Sequence, residues 1–173
     1  MNLHRGFGDA SRALAEWVKS GRRLAILAVG NPLRRDDGVG IEILKSLKAS
    51  SRRVKMVCCL QVPENYLGEV ISFKPDRILF IDGVDANLPP GELVFAEFTG
   101  EERIGPIIST HGLPLDVSAG YLKASTGASV ALLGVQVSST EFGEGLTGNV
   151  ERAARATSRM LSRILSGLSR GKS

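Results

Sequence analysis

Three short polar clusters in this sequence carry groups able to hold a cation or move a proton. Asp36 and Asp37 stand side by side in GNPLRRDDGVG (residues 30–40). Asp82 closes the apolar run RILFI (77–81), with Asp85 just behind it in GVDAN. His111 lies in STHGLPL (109–115). Each cluster has a structural reading and a chemical one. An aspartate at a helix start satisfies free amides and meets the positive end of the helix dipole. One cap needs one carboxylate, however, and two are present; Asp36 is therefore expected to support the loop while Asp37 faces a cleft. Gly38 and Gly40 let the backbone turn sharply or approach a ligand closely. A carboxylate at Asp82, so near an apolar interior, is costly unless it is hydrogen-bonded or bound to a cation, and both readings stay open. Asp85 is expected to close the turn after it. The only other histidine, His4, is expected in a frayed terminus without function. A lone histidine is ordinarily structural; His111 gains weight only if it meets Asp37 and Asp82.

Together these three would supply two carboxylates and one imidazole, a partial shell for a borderline divalent metal with positions left for ligands from elsewhere. The chain has no HExxH zinc-peptidase helix, no GxSxG nucleophile elbow and no GxxxxGK[ST] phosphate loop. GNPLRRDDGVG also lacks the close GxGxxG spacing of a dinucleotide fingerprint. The residues alone support a small α/β protein with an acidic, metal-competent cleft. They identify no substrate.

The elements that must position these groups alternate. LAILAV (24–29), VKMVCCL (54–60), RILFI (77–81), ELVFAEF (92–98) and SVALLGVQV (129–137) read as strands, mostly apolar enough to be buried on both faces. The acidic ends of ELVFAEF suggest a position nearer an edge. Residues 8–20 have a narrow apolar face of Leu14, Trp17 and Val18; Ile43, Leu44 and Leu47 recur at helical spacing after Gly40; a short helical piece follows VPEN (62–65), and another helix follows STHGLPL. From about Thr147 to Leu168, Val150, Ala154, Thr157, Leu161, Ile164, Leu165 and Leu168 form one stripe, with Arg152, Arg155, Arg159 and Arg163 mostly off it. Buried strands alternating with helices imply a single-domain, three-layer α/β/α sandwich around a mostly parallel, about five-stranded twisted sheet. In such sheets sites form beyond the C-terminal strand ends, where connections diverge to opposite faces. All three polar clusters fall there.

The chain has 173 residues, 43% of them hydrophobic, which suits one domain with one core. No apolar run reaches the roughly 18–20 residues needed to span a bilayer, and the N-terminus lacks a signal-peptide core. A cytoplasmic protein without membrane insertion is expected. The net charge of +4 hides a polarity: residues 1–55 carry 12 Lys/Arg against 5 Asp/Glu, residues 81–150 carry 2 against 9, and residues 151–173 carry 6 against 1. The acidic middle argues against a nucleic-acid cleft. Basic ends are solvated helix faces or help dock an acidic partner. Cys58 and Cys59, the only cysteines, are adjacent and so cannot readily pair; two small buried residues are expected.

The same segments resemble the hydrogenase maturation endopeptidases, most closely the branch serving formate-hydrogenlyase-type hydrogenases (hydrogenase 3). GNPLRRDDGVG matches that family's opening strand–loop–helix motif. VPEN, FIDGVDANLPPGEL (80–93), STHGLPL, LLGVQ (132–136) and the LTGNV start of the last helix (146–150) follow in order. The resemblance covers residues 24–168. It implies a peptidase domain over 24–168, preceded by a partly helical extension (1–23) and followed by a flexible tail (169–173). It implies that Asp37, Asp82 and His111 are the metal-contacting and catalytic residues. The implied activity is endoproteolytic removal of the C-terminal extension from a [NiFe]-hydrogenase large-subunit precursor. Nickel would be recognised in that precursor rather than held tightly by the free enzyme. Soft thiolates of the precursor and the harder oxygens and imidazole here would share the metal, favouring the loaded substrate. A water activated by Asp37 or Asp82 would attack, since no Ser or Cys has an evident activating partner. The competing reading is a non-catalytic nickel-sensing chaperone for the same precursor. Two features depart from the family: CCLQ (58–61) stands where relatives usually have an aspartate and glycines, and residues 1–23 precede its usual start.

Overall fold

The computed structural model describes residues 3–48, 51–99, 107–110 and 115–170. In chain order the elements are β1 (Leu3–Arg5), α1 (Phe7–Lys19), β2 (Leu24–Val29), α2 (Val39–Ser46), β3 (Val54–Leu60), α3 (Leu67–Phe73), β4 (Arg77–Asp85), β5 (Leu93–Glu97), β6 (Ile108–Ser109), α4 (Leu115–Thr126), β7 (Ser129–Gln136) and α5 (Gly148–Arg170). Short 3-10 turns at Arg35–Gly38 and Pro63–Tyr66 lead into α2 and α3.

The strands form one sheet in the order β1-β5-β7-β4-β2-β3, with β6 paired on β4. β3, β2, β4 and β7 run parallel, while β5, β1 and β6 pair antiparallel with their neighbours. The five long strands are those expected. The sheet has seven strands rather than about five because β1 and β6, of three and two residues, add at an edge and at a strand end. β5 does lie toward one edge, which β1 covers.

Alternation sorts the apolar side chains into two layers. Ile26, Leu79, Ile81 and Leu133 pack on one face with Leu14 and Trp17 of α1, Ile43 of α2, and Leu161 and Leu165 of α5. Leu27, Ile78, Phe80 and Leu132 pack on the other with Val70 of α3 and Leu122 of α4. This is the expected three-layer sandwich. All six residues of β2 are buried, as its unbroken apolar run requires.

Three expectations need correction. β4 does not stop at Asp82 but runs to Asp85, because β7 pairs with it as far as Val84 and β6 pairs with Val84 and Asp85. His4 is not frayed: it sits in β1 opposite Phe95, and its Nδ1 is 3.0 Å from Asp9 Oδ2. The first helix, expected from its apolar face, is a packed layer, with Ala10, Leu14, Trp17 and Val18 buried. Cys59 is buried but Cys58 is exposed, since β3 is the outermost strand and its second face is not fully covered. The tail beyond residue 170 lies outside the described residues.

The connections after β2 and β4 diverge. The chain leaving β2 enters α2 on one face on its way to β3, whereas the chain leaving β4 reaches β7, on the opposite side of the sheet, through α4 on the other face. The adjacent C-terminal ends of β2 and β4 therefore form a crevice of the kind in which open α/β sheets build their sites.

Candidate functional site

The loop after β2 is shaped by tight contacts. Gly30 has φ +136, and a Cβ there would lie 1.9 Å from the Asp37 carbonyl oxygen; only glycine fits. At Gly40 a Cβ would meet the carbonyl oxygens of Ile81 at 2.3 Å and Val29 at 2.7 Å. The first turn of α2 thus lies directly on the ends of β2 and β4, which brings the RDDG turn over the crevice.

The two adjacent aspartates have separate duties. Asp36 is fully buried. Its Oδ2 accepts from the amides of Ser138 (2.8 Å) and Ser139 (3.0 Å) and from the Thr147 hydroxyl (2.8 Å); its Oδ1 accepts from the Thr147 amide (2.7 Å). The Asp36 amide in turn donates to the Ser139 carbonyl at 3.0 Å. Asp36 therefore staples the loop to the segment entering α5, as expected of a supporting carboxylate. Asp37 turns instead toward β4 and β6. Its Oδ2 accepts from the Asn31 amide at 3.0 Å, and its Oδ1 accepts from the Thr110 hydroxyl at 2.5 Å.

Asp82 sits within β4, fully buried. Its Oδ2 accepts from the Ser109 hydroxyl. Its Oδ1 is buried and, among the described residues, has no hydrogen-bond partner. Burial, with the nearby Asp37 charge adding, pushes its pKa up to about 7; the Ser109 hydroxyl and the Gly83 amide pull it partly back. A buried carboxylate with an empty lone-pair direction beside a second carboxylate suits a cation. Asp37 and Asp82 therefore offer carboxylate oxygens that fit a cation.

Asp85 closes its turn as expected: its Oδ1 accepts from the Asn87 amide (3.2 Å) and the Gln136 side-chain amide (3.3 Å). His111 lies outside the described residues. Among those described, no group of three His, Cys, Asp or Glu side chains is placed to hold a metal ion. Asp37 and Asp82 are the two acids brought together.

Sequence reasoning missed the two hydroxyls. Ser109 and Thr110 each donate to one of the two carboxylates. A Ser–Thr pair in a polar loop gives no periodic signal, and only the pairing of β6 on β4 reveals it. Leu60 was also out of reach. It has φ +51, a left-handed backbone that favours glycine, in the CCLQ segment that departs from the family's glycines.

A family model, HycI, hydrogenase maturation protease, matches residues 41–166. The hydrogenase 3 maturation protease of Escherichia coli K12 is 30% identical over 112 residues, which cover 64% of this chain and 70% of that protein. The crystal structure of the [NiFe] hydrogenase maturation protease HycI from Thermococcus kodakarensis KOD1 aligns with a TM-score of 0.79 at 31% identity, over 89% of this chain and 99% of that one. The hydrogenase maturating endopeptidase HybD from E. coli, at 24% identity, shares the fold, with a TM-score of 0.68 over 84% of this chain and 93% of that one. With a family match over most of its length and a fold shared with solved members, the chain belongs to the hydrogenase maturation proteases and is a peptide-bond hydrolase.

Proposed function

We propose that this protease removes the C-terminal extension of a [NiFe]-hydrogenase large-subunit precursor once that precursor carries nickel. In this reading Asp37, Asp82 and His111 meet the metal and carry the cleavage. The single observation that supports it most is Asp82 Oδ1, buried and, among the described residues, without a hydrogen-bond partner, beside the carboxylate of Asp37. An oxygen so exposed to desolvation gains most from a cation brought to it. His111 follows Thr110 in the sequence, and Thr110 holds Asp37.

Nickel here belongs to the substrate. The precursor's thiolates are soft donors, and the protease offers oxygens and one imidazole to the ion's open side. Sharing the metal adds binding energy only for the loaded precursor, so selection is a difference of affinities. The ion polarises the scissile carbonyl when bound. A water activated by Asp37 or Asp82 attacks that carbonyl, and His111 holds the metal or passes the proton onward. Residues 24–168 carry the family's motifs, and β1 and α1 add an edge strand and a packed helix to the same domain. The reaction belongs in the cytoplasm; among the described residues no helix is long and apolar enough to cross a membrane.

Intact-mass measurement of nickel-loaded and nickel-free precursor after incubation with the protease tests this. Loss of one C-terminal peptide from the loaded form alone is expected. A stable complex with an intact, nickel-loaded precursor would favour the non-catalytic chaperone instead.

A further inference from the structure

We infer that Ser109 and Thr110 are the positioning residues of the carboxylate pair, one dipeptide fixing both acids at once. This rests on the function proposed above and names residues to which no role in it is yet given. Asp37 and Asp82 are 45 positions apart and lie on different elements, one in the turn after β2 and the other inside β4. No hydrogen bond between their side chains is present among the described residues, and like charges so close repel. Something must therefore hold the pair. The Ser109 hydroxyl donates to Asp82 Oδ2, and the Thr110 hydroxyl donates to Asp37 Oδ1 at 2.5 Å.

The dipeptide is itself tied to β4. Ser109 pairs with Val84 and Ile108 with Asp85, and the Thr110 amide donates to the Gly83 carbonyl at 3.0 Å. The backbone of β6 thus takes its register from the strand that carries Asp82, and its side chains carry that register to Asp37. Hydrogen bonds to ionised acceptors are the stronger kind, so the hydroxyls orient the acids rather than merely touching them.

Thr110 also has a second acceptor in reach. Its Oγ1 is 3.0 Å from the Gly83 carbonyl oxygen. A hydroxyl has one hydrogen and donates it to one acceptor at a time. Rotation of that hydrogen from Asp37 to Gly83 frees a lone pair of Asp37 Oδ1 without moving a heavy atom. The resting site keeps Asp37 satisfied on both oxygens, through Asn31 and Thr110, and releases one oxygen when a cation arrives. Asp82 Oδ1 has no hydrogen-bond partner among the described residues.

The test uses the full-length protease with nickel-loaded precursor and, separately, carboxyl 13C NMR of the protease without metal. Thr110→Val keeps the shape and removes the hydroxyl; Thr110→Ser restores the hydroxyl. Misplacing a reacting group by about 1 Å costs up to about 100-fold, so Thr110→Val is expected to lower kcat about 10- to 100-fold with KM within about threefold. Thr110→Ser is expected to return kcat to within about threefold of the parent. In the metal-free spectra the Asp37 carboxyl resonance is expected to move in Thr110→Val and to return in Thr110→Ser. Ser109→Ala makes the same test on the Asp82 resonance if the valine variant does not fold. An unmoved Asp37 resonance in a folded Thr110→Val protein that cleaves at the parent rate would overturn the assignment, as would equal losses in Thr110→Val and Thr110→Ser. An adduct on Ser109 or Thr110 during turnover would also overturn it, by making the hydroxyl the nucleophile. If the parent protein itself leaves loaded precursor uncut, the proposed function fails instead, and the carboxyl resonances still decide the positioning role.

Discussion

Asp36 and Thr147 are joined twice: the Thr147 amide donates to Asp36 Oδ1 at 2.7 Å and the Thr147 hydroxyl to Asp36 Oδ2 at 2.8 Å. The connection runs from the loop after β2 to the start of α5, 111 positions along the chain. It leaves the next residue, Asp37, free to turn toward β4 and β6. In the proposed function, two adjacent aspartates in one 3-10 turn thus divide support from chemistry.

Opposite phenotypes are expected from this division. Asp36→Ala strands four part-buried hydrogen-bond donors and is expected to cost about 2–4 kcal/mol in urea unfolding. Asp37→Asn keeps the shape and is expected to stay within about 1 kcal/mol of the parent, while its cleavage of loaded precursor falls at least about 100-fold. Normal cleavage by Asp37→Asn would remove that residue from the mechanism.

Gly40 carries a purely steric expectation. A methyl group there would lie 2.3 Å from the Ile81 carbonyl oxygen and 2.7 Å from that of Val29. Both are backbone atoms of central strands and cannot step aside cheaply. Gly40→Ala is expected to lose about 2–4 kcal/mol and to lower activity through the displaced loop; calorimetry shows the first and peptide release the second. Gly68→Ala has nothing within 4 Å and serves as the control, expected to leave the melting temperature nearly unchanged.

Much of this arrangement was legible from the chain, and the missing parts share a cause. LAILAV, RILFI and SVALLGVQV announced themselves because strands buried on both faces are unbroken apolar runs. The last helix was readable because Val150, Ala154, Leu161 and Leu165 return every three or four residues. The split between Asp36 and Asp37 followed from one cap needing one carboxylate. By contrast, Leu3–Arg5 and Ile108–Ser109 are too short to show any period, and their existence depends on partners far along the chain. β4 was cut short at Asp82 because a carboxylate ordinarily marks a strand end; here it stays inside, held by Ser109. The exposed Cys58 depends on how far the helices reach past β3, which no local pattern records.

Asp82 sets a pH dependence whose sign can be worked out. Its pKa is raised from 3.8 to about 7 in the folded protein. Between these values the folded state keeps a proton that the unfolded chain has lost, so this group's contribution to stability falls as pH rises from about 4 to about 7. Asp82→Asn removes that penalty. In metal-free protein it is expected to be more stable than the parent at pH 8 by about 1–3 kcal/mol, with the advantage shrinking toward pH 4. Urea unfolding at the two pH values measures it; an advantage of equal size at both would contradict a penalty carried by the ionised acid.

The adjacent cysteines should differ in reactivity. Cys58 is exposed and Cys59 buried. Burial pushes the Cys59 thiol up to about 12, with Cys58, Glu69 and Glu64 adding to the rise. Since the thiolate is the nucleophile, iodoacetamide at pH 8 is expected to label Cys58 at least about 10-fold faster than Cys59. Peptide mapping reads the ratio, and equal labelling would mean that β3 opens readily.

The most direct measurement is nickel K-edge absorption on the loaded precursor, alone and mixed with the protease, using Asp37→Asn to slow cleavage and the Asp82→Asn, Asp37→Asn double variant as comparison. Mixing is expected to add oxygen or nitrogen donors to a sulfur-rich nickel site, and the double variant to add fewer. A nickel spectrum unchanged by the protease, in a mixture where the two proteins are bound, would contradict the claim that these acids close on a metal brought by the substrate.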